Sequence, residues 1–379
     1  MAEFTIPEFI TVHIGAPSSS GQNVTVPFAD YIKNVASSEI YPTWPESAIR
    51  ANVYAQITYA LNRVFTENYR SQGYSFDITN DTAYDQFYVP NRDIFDNISK
   101  IVDEIFNSYI RRVGTVNPIF ASYCNGTTVT CAGLSQWGTV TLANNGYVPF
   151  DILQNYYGND IELATNVPVA PNVPSYGLIP IQFGDRSEAV TAIQSRLNNV
   201  ASNYPSIPKI YPVDGIFGEQ TLSAVQQFQR IFGLTPDGIV GAATWYKIIF
   251  VSNAVRRLSE IDSKGVTMAE YNQQFPNVLR LGDAGRTIEV LQYYLIVVGS
   301  YYNQIPQIEQ TGTFDEQTRN AVIAFQKAFS LQPDGIVGEQ TWQELYGVYL
   351  GVLPKLQESA DTSSLNEGQF PGYTLRQEG

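Results

Sequence analysis

The feature that most constrains this chain is an internal duplication. The segment DGIFGEQTLSAVQQFQRIFGLTPDGIVGAATW at residues 214–245 returns as TGTFDEQTRNAVIAFQKAFSLQPDGIVGEQTW at residues 311–342. Upstream, FGDRSEAVTAIQSRL at residues 183–197 pairs with LGDAGRTIEVLQYYL at residues 281–295. A repeat of this length is one structural unit used twice, so the sequence predicts two copies of a small domain.

Each copy predicts a bundle of three helices. The second helix of the first copy places Leu222, Val225 and Phe228 on one face, at the spacing of an α-helix. A Pro-Asp-Gly sequence then breaks the chain, and a short third helix turns Trp245 inward. We expect the shared glycines to form turns with positive φ and the shared aromatic residues to lie in the core.

Length and composition indicate how the rest of the chain is divided into domains. Its 379 residues exceed one ordinary core, and a hydrophobic content of 44% indicates folded domains rather than disorder. The predicted fold class is multidomain, with an N-terminal α+β domain and two small all-α three-helix bundles joined by linkers. The predicted boundaries are the α+β domain at 1–163, a proline-rich linker at 164–180, repeats at 181–250 and 278–350, a connector at 251–277 and a disordered tail at 351–379.

The N-terminal domain opens with a strand pattern. In ITVHIG, Ile10, Val12 and Ile14 share one face, so we expect His13 to be exposed on the other face without a catalytic role. The run that ends at Glu39 also looks like a strand, which predicts that this carboxylate lies on a hinge ahead of a helix.

Two helices are predicted after that hinge. The first begins at Pro45, where Thr43 and Glu46 have the spacing of a capping box. The second runs from about residue 92 to residue 112. Helices mixed with strands in one domain indicate the α+β class.

Charge and hydropathy exclude some classes of binding partner. The net charge of −14 disfavours nucleic acid and anionic membrane surfaces. No run approaches the roughly 20 apolar residues of a membrane span, so no membrane insertion is predicted. The first residues lack the pattern of a signal peptide, and we expect a mature form or a protein that reaches its site without such a signal.

The repeats resemble the three-helix peptidoglycan-binding domain found in cell-wall hydrolases. The resemblance is carried by the blocks GD…V…Q..L, DGIFG..T..AV..FQ and L.PDGIVG..TW. It implies binding to peptidoglycan. The second copy has Thr311 and Asp315 where the first has Asp214 and Gly218, which puts its turn in question.

Two further blocks resemble the stage II sporulation protein D family, which is known for lytic transglycosylase activity on cell-wall glycan. They are YIKNVASSEIYPTWPESAIRANVYAQITYAL at residues 31–61 and GLSQWGTVTLANNGYVPFDILQNYYGNDI at residues 133–161. The resemblance covers most of residues 5–163 and implies that Glu39 is the catalytic residue. The substrate-binding residues that it implies are Gln86, Ser135, Gln136 and Trp137.

One carboxylate can suffice for this reaction. A lytic transglycosylase protonates the glycosidic oxygen and then deprotonates the C6 hydroxyl of N-acetylmuramic acid, whose attack on C1 gives a 1,6-anhydro product. Because the substrate supplies the nucleophile, no second carboxylate is needed as in ordinary glycosidases. Aromatic neighbours such as Tyr41 and Trp44 could raise the pKa of the Glu39 carboxyl by excluding water. The alternative is that Glu39 caps the helix entry or pairs with Arg50 or Lys33.

The sequence departs from that family beside the Ser-Gln block. Family members have Gly-His-Gly there, whereas this chain has Cys131, Ala132 and Gly133, with no histidine nearby. Cys124 and Cys131 either close a small loop as a disulfide or remain as two reduced buried thiols. Two cysteines do not supply the four ligands of a structural zinc, so no metal and no cofactor are predicted.

Two functions follow from these observations. The first is a lytic transglycosylase that cleaves peptidoglycan glycan strands while its repeats hold it on the wall. The second is a non-catalytic protein of the cell wall or spore envelope, built on a degenerate domain, which the missing histidine favours. Deposition on a spore without export fits both. We adopt the first as the working hypothesis.

Overall fold

The computed structural model describes residues 4–170, 175–176, 179–274 and 279–358. The chain divides into two compact units, residues 1–277 and residues 278–379. The start of the predicted disordered tail is helical, because the last helix continues to Glu358 and buries Val352 in the core of the second repeat. Residues 359–379 lie outside the described residues. Within the described residues, no helix is long and apolar enough to cross a membrane.

The N-terminal part of the first unit mixes helices with short strands, confirming the predicted α+β class. Its helices are α1 (Phe28–Glu39), α2 (Glu46–Phe65), α3 (Asp96–Ile105), α4 (Gln136–Asn144) and α5 (Pro149–Tyr157), with a 3-10 turn at Arg70–Gln72. Its strands are β1 (Ile6–Pro7), β2 (Phe9–His13), β3 (Asn23–Pro27), β4 (Ile78–Thr79), β5 (Tyr109–Arg112), β6 (Tyr123–Cys124), β7 (Leu134–Ser135), β8 (Ile161–Ala164) and β9 (Val169–Ala170).

These strands pair in small sheets around the helices. β2 lies between β3, which is antiparallel to it, and β4, which is parallel to it. β5 pairs antiparallel with β8, whereas β1 with β9 and β6 with β7 are parallel pairs. The pairs β1–β9, β2–β4 and β5–β8 join segments that are distant in sequence, whereas β6–β7 closes a short loop.

Helix α2 is the centre of this domain. It is 20 residues long, and residues on nearly every side of it are buried. Ile49, Val53 and Ile57 from its apolar stripe lie in the main core. Because protein surrounds most of the helix, four of its polar side chains are buried as well and need hydrogen-bond partners. These polar residues are Asn52, Gln56, Thr58 and Asn62.

The run that ends at Glu39 is a helix, so the strand expected there is wrong. Phe28, Tyr31, Ile32 and Val35 recur at helical spacing and are buried together in the core. Glu39 is the last residue of α1, ahead of the turn that leads to α2. The carboxylate therefore lies at the end of one helix and not at the start of the next.

The expected start of α2 and the expected extent of the next helix are also corrected. Pro45 is the N-cap of α2 and no side chain caps that helix, so Thr43 and Glu46 form no capping box. The helix expected at residues 92–112 is α3 followed by β5. The helix ends early because residues 109–112 pair with β8, where hydrogen bonds between strands replace helical ones.

His13 is buried, not exposed as the strand pattern suggested. Its ring stacks on Phe76 with centroids 4.6 Å apart. Its Nδ1 lies 2.8 Å from Asn23 Oδ1, and its Nε2 lies 3.1 Å from Ser19 Oγ. The second face of β2 is therefore covered by neighbouring segments, which an alternating pattern alone does not reveal.

Each repeat contains three helices, as predicted. They are α6 (Glu188–Ala201), α7 (Glu219–Ile231) and α8 (Ala242–Val255) in the first repeat, and α10 (Arg286–Tyr301), α11 (Glu316–Ala328) and α12 (Glu339–Glu358) in the second. A short helix, α9 (Met268–Gln274), follows the first repeat. Phe228 and Trp245 lie in the core of the first repeat, as their repetition in the sequence indicates.

A glutamine clamp explains the repeated sequence. The Nε2 of Gln229 donates to Asp237 Oδ1 at 2.9 Å and to Thr244 Oγ1 at 3.2 Å. Its Oε1 accepts from the backbone N–H of Gly238 at 2.9 Å. One buried side chain thus holds the turn and the start of the next helix together. The same arrangement is centred on Gln194, Gln292 and Gln326.

The second copy keeps this clamp in the turn where Thr311 and Asp315 replace Asp214 and Gly218. Thr311 Oγ1 takes the place of the Asp214 carboxylate and accepts from Gln292 Nε2 at 3.0 Å. Asp315 caps α11, because its Oδ1 accepts from the N–H of Thr318 at 2.8 Å. Both replacements therefore preserve hydrogen bonds on which the fold depends.

The first repeat packs against the N-terminal domain within the first unit. Trp245 Nε1 donates to Ser175 Oγ at 2.8 Å, and the N–H of Ser175 donates to Glu67 Oε1 at 2.8 Å. From α8, Asn253 Nδ2 donates to the carbonyl of Thr66 at 2.8 Å. These contacts join the third helix of the repeat to the end of α2.

We expect Gly238→Ala to destabilise the first repeat by about 1–2 kcal/mol or more, the cost of a left-handed conformation for a residue with a Cβ. Gly238 has a φ of +77°, and a Cβ there would lie 2.3 Å from Leu222 Cδ1. Gly241→Ala is the matched control, since a Cβ at Gly241 meets nothing within 4 Å. Hydrogen exchange of the α7 and α8 amides measures the free energy of local opening, and equal values for the two variants would contradict the expectation.

Candidate active site

Glu39 is held by three neutral donors. Its Oε1 accepts from the backbone N–H of Phe87 at 2.8 Å. Its Oε2 accepts from Gln56 Nε2 at 2.8 Å and from the hydroxyl of Tyr123 at 2.7 Å. The side chain is half-buried, so the carboxylate is fixed in one orientation at the end of α1.

The two cations that the sequence offered as partners of Glu39 pair with other carboxylates. Arg50 Nε lies 2.7 Å from Glu46 Oε1. Lys33 Nζ lies 2.7 Å from Asp103 Oδ1. The contacts of Glu39 are therefore those of a half-buried carboxyl among neutral donors, and not those of an ion pair.

Burial raises the pKa of the Glu39 carboxyl above its ordinary value, because an apolar surround disfavours the charged form. The hydrogen bonds from Phe87, Tyr123 and Gln56 lower this pKa, but by less than burial raises it. A carboxyl with a raised pKa keeps its proton closer to neutral pH, as a general acid must.

Gln86 lies behind the carboxylate and is 1% exposed. Its Nε2 donates to the hydroxyl of Tyr123 at 2.9 Å and to the carbonyl of Gln56 at 3.1 Å. Its Oε1 accepts from the hydroxyl of Tyr31 at 3.0 Å. Because the oxygen of Tyr123 accepts from Gln86, its own proton is directed to Glu39. The structure therefore places Gln86 where it orients Tyr123, away from an exposed surface.

The loop that supplies the Phe87 N–H is fixed on both sides. Asp85, with a fully buried side chain, accepts from Arg63 Nε at 2.8 Å. Asn34 on α1 donates to the carbonyl of Val89 at 2.7 Å and accepts from its N–H at 2.8 Å. These contacts hold the backbone donor in place against the carboxylate.

Three aromatic rings pack together, and two of them, Tyr41 and Trp44, belong to the turn that directly follows Glu39. Tyr41 is 57% exposed and Trp137 is 41% exposed, and their ring centroids are 5.8 Å apart. Trp44 is 9% exposed and packs against both, at 5.7 Å and 4.9 Å. Tyr41 follows Glu39 by two residues, which limits their Cα–Cα distance to about 7 Å. The rings form an exposed aromatic platform, defined as Tyr41, Trp44 and Trp137.

Ser135 and Gln136 hold the turn that begins α4. Ser135 is the N-cap of α4, and its Oγ accepts from the N–H of Gly138 at 3.0 Å. Gln136 is 6% exposed, and its carbonyl accepts from Thr139 Oγ1 at 2.6 Å. The contacts of both residues position the turn that carries Trp137.

A disulfide joins Cys124 to Cys131. Within the loop that it closes, the carbonyl of Asn125 accepts from the backbone N–H of Trp137 at 3.1 Å. Because Tyr123 directly precedes the first cysteine, the closed loop connects the strand of Tyr123 to the turn of Trp137. In the part of the chain that the structure describes, no group of three or more His, Cys, Asp or Glu could hold a metal ion.

Sequence reasoning missed two residues of this site. Gln56 is a polar residue inside the apolar pattern of α2, and that mismatch is the signal that could have identified it. Tyr123 lies 84 residues from Glu39 in sequence, in a strand of two residues. No local pattern marks such a residue, so only the fold reveals it.

We expect the thermal stability of the wild type relative to Glu39→Gln to decrease as pH rises from about 4 to neutral. The raised pKa means that the folded chain binds this proton more tightly than the unfolded chain does. Its contribution is fully present below the unfolded pKa and is lost as pH rises through the folded pKa. Melting temperatures of both proteins across this range measure the difference, and parallel curves would contradict the expectation.

Two family models match this chain. The model described as stage II sporulation protein matches residues 18–107, which include Glu39 and Gln56. The model described as a peptidoglycan binding domain matches residues 186–248 and 285–345.

Curated proteins with sequence similarity include two that are named as N-acetylmuramoyl-L-alanine amidases. The chain is 47% identical over 70 residues to an uncharacterized protein in the bpoA1 3′ region of Kitasatospora aureofaciens, covering 18% of this chain and 54% of that protein. It is 31% identical over 170 residues to N-acetylmuramoyl-L-alanine amidase CwlM of Mycobacterium tuberculosis, covering 44% and 37%. It is 29% identical over 194 residues to N-acetylmuramoyl-L-alanine amidase CwlL of Bacillus licheniformis, covering 50% and 51%.

The chain thus spans about half the length, or less, of these curated relatives. The two family models match separate parts of the chain. The chain carries a stage II sporulation protein domain at residues 18–107, followed by two peptidoglycan-binding domains at residues 186–248 and 285–345.

Proposed function

We propose that this protein is a lytic transglycosylase of the cell wall or spore envelope, which cleaves the bond between N-acetylmuramic acid and N-acetylglucosamine to give 1,6-anhydro products. The observation that carries the proposal is the environment of Glu39, a half-buried carboxyl with neutral donors and a raised pKa. Such a group can donate a proton and take one back within a single reaction.

The reaction begins with Glu39 protonated. Oε2 already accepts two hydrogen bonds, whereas Oε1 accepts one from Phe87, so Oε1 keeps a lone pair for the transferable proton. This proton passes to the glycosidic oxygen as its bond to C1 breaks and positive charge develops at C1. The leaving N-acetylglucosamine then carries the new hydroxyl.

The second step uses the carboxylate that the first step produces. The donors from Phe87, Gln56 and Tyr123 stabilise this negative charge between the steps. The carboxylate takes the proton of the C6 hydroxyl, and the C6 oxygen bonds to C1 to close the 1,6-anhydro ring. Glu39 is protonated again, so the cycle consumes no water and needs no second carboxylate.

The aromatic platform is evidence in favour of a carbohydrate substrate. Tyr41, two residues after Glu39, and Trp137 are both exposed and in contact with each other, and the apolar face of a sugar ring can pack on such surfaces. We therefore assign Trp137 and Tyr41 to substrate binding. Ser135, Gln136 and Gln86 contribute by holding the turn and the hydroxyl described above.

The repeats support attachment to peptidoglycan, the polymer named by the matching family model. Attachment raises the local concentration of glycan strands at the Glu39 site. Two of the similar proteins are named as amidases, which cut a different bond. We do not extend their activity to this chain, since the match covers about half their length or less and Glu39 lies in the domain matched by the sporulation model.

A non-catalytic wall-binding protein is the second candidate. The observation that favours it is the sequence Cys131-Ala132-Gly133, which stands where the resembled family has Gly-His-Gly. In that case the donors around Glu39 would have a structural role, and the platform would only bind glycan.

Digestion of purified murein, with mass spectrometry for 1,6-anhydromuramic products, separates the candidates. We expect the wild type to release these products and Glu39→Gln to release them about 10²- to 10⁴-fold more slowly, the range for general acid–base groups. Glu46→Gln is the matched control, because it changes a largely exposed glutamate at the start of the next helix. Sedimentation with murein but no products from the wild type would overturn the catalytic proposal and support the second candidate.

A further inference from the structure

The segment after the first repeat returns to the N-terminal domain. We call residues 256–271 the brace. Its side chains Leu258, Val266 and Tyr271 are buried in one cluster with Phe65 at the end of α2 and with Val116. The sequence predicted a connector here, whereas these residues form part of the packed interior of the first unit.

Hydrogen bonds of the backbone N–H groups join the brace to residues 115–117. The N–H of Val116 donates to the carbonyl of Val266 at 2.9 Å, and the N–H of Val266 donates to Asn117 Oδ1 at 2.7 Å. Thr115 and Thr267 form an antiparallel bridge beside them. The brace therefore holds residues 115–117 through both backbone and side-chain hydrogen bonds.

Asn62 ties the same elements to α2. Its side chain is fully buried, and its Nδ2 donates to the carbonyl of Pro118 at 3.0 Å and to the carbonyl of Leu258 at 2.9 Å. One amide thus connects the central helix, the brace and residue 118. Removing it would leave two buried carbonyls without this donor.

From Pro118 the chain runs directly to Tyr123. The intervening residues Ile119 and Ala121 are buried, and the N–H of Ile119 donates to the carbonyl of Ile110 at 3.0 Å. The segment ends where Tyr123 donates to Glu39 at 2.7 Å. Hydrogen bonds weaken steeply when donor and acceptor are misaligned, so a displacement of the segment at Pro118 would weaken the contact of Tyr123 with Glu39.

We propose that the brace is a positioning element of the Glu39 site, which holds residues 115–123 so that Tyr123 stays in contact with Glu39. The inference rests on the proposed function for its catalytic meaning. It makes the first repeat and its following segment part of the catalytic unit, in addition to any role in wall attachment. Asn62, Asn117 and Gly265 are then positioning residues that act through Tyr123.

Gly265→Ala tests this by displacing the brace. Gly265 has a φ of +74°, and a Cβ there would lie 2.7 Å from Asn117 Oδ1 and 2.9 Å from Thr115 Cγ2. Gly233→Ala is the matched control, because Gly233 has a φ of +70° but its Cβ would meet nothing within 4 Å. Both variants carry the same backbone strain, and only the first pushes the brace away from residues 115–117.

The readout is the titration of Glu39 by carbon NMR of the full-length protein labelled at glutamate, with Glu39→Gln to assign the signal. We expect Gly265→Ala to raise the pKa of Glu39 toward that of Tyr123→Phe, because a donor to the carboxylate is weakened. Turnover of murein should fall by about 10- to 100-fold with little change in KM. Gly233→Ala should leave both quantities unchanged.

An unchanged Glu39 titration in Gly265→Ala, together with faster hydrogen exchange at Val266, would overturn the inference. Asn62→Ala is the second variant, judged by the same two readouts, so the decision does not depend on one substitution folding. The titration needs no turnover. If the wild type releases no anhydro product, the proposed function fails, and the titration still decides whether the brace controls the contact of Tyr123 with Glu39.

Discussion

The structure of the N-terminal domain depends on the burial of helix α2 on nearly every side. A surface helix can point polar side chains into water, but a helix surrounded by protein must give each one a partner. The partners here come from segments that are far apart in sequence, so the helix fixes where those segments lie. Asn52 donates to Thr139, Gln56 donates to Glu39, and Asn62 donates to the carbonyls of Pro118 and Leu258.

Two carboxylates close to this helix, Asp85 and Glu39, differ in the chemistry of their hydrogen-bond donors. Asp85 accepts from Arg63, a cation that balances its charge and fixes the loop before Phe87. Glu39 receives amide and hydroxyl donors, which lower its pKa by less than burial raises it. Asp85 therefore has a cation as partner, whereas the donors to Glu39 are all neutral.

The two repeats share a clamp of hydrogen bonds but differ in the surroundings of the tryptophan on the third helix. In the first repeat Arg196 is buried and the Trp245 ring donates to Ser175, where the repeat meets the N-terminal domain. The aligned positions of the second repeat are Tyr294 and Trp342, whose ring centroids lie 5.9 Å apart. Duplication thus preserved the turns, which the fold requires, while the surfaces diverged with their surroundings.

The sequence by itself determined the repeats, their three helices and their glycine turns, because these depend on contacts within about 30 residues. It also predicted Glu39 and Trp137 as candidate site residues, through two long blocks that resemble a known family. Only the tertiary structure decided that Glu39 ends a helix, that Gln86 is buried behind it and that Tyr123 supplies a donor to it. The physical reason is that a hydrogen bond between distant segments depends on how buried helices pack, and no local spacing of residues encodes that distance.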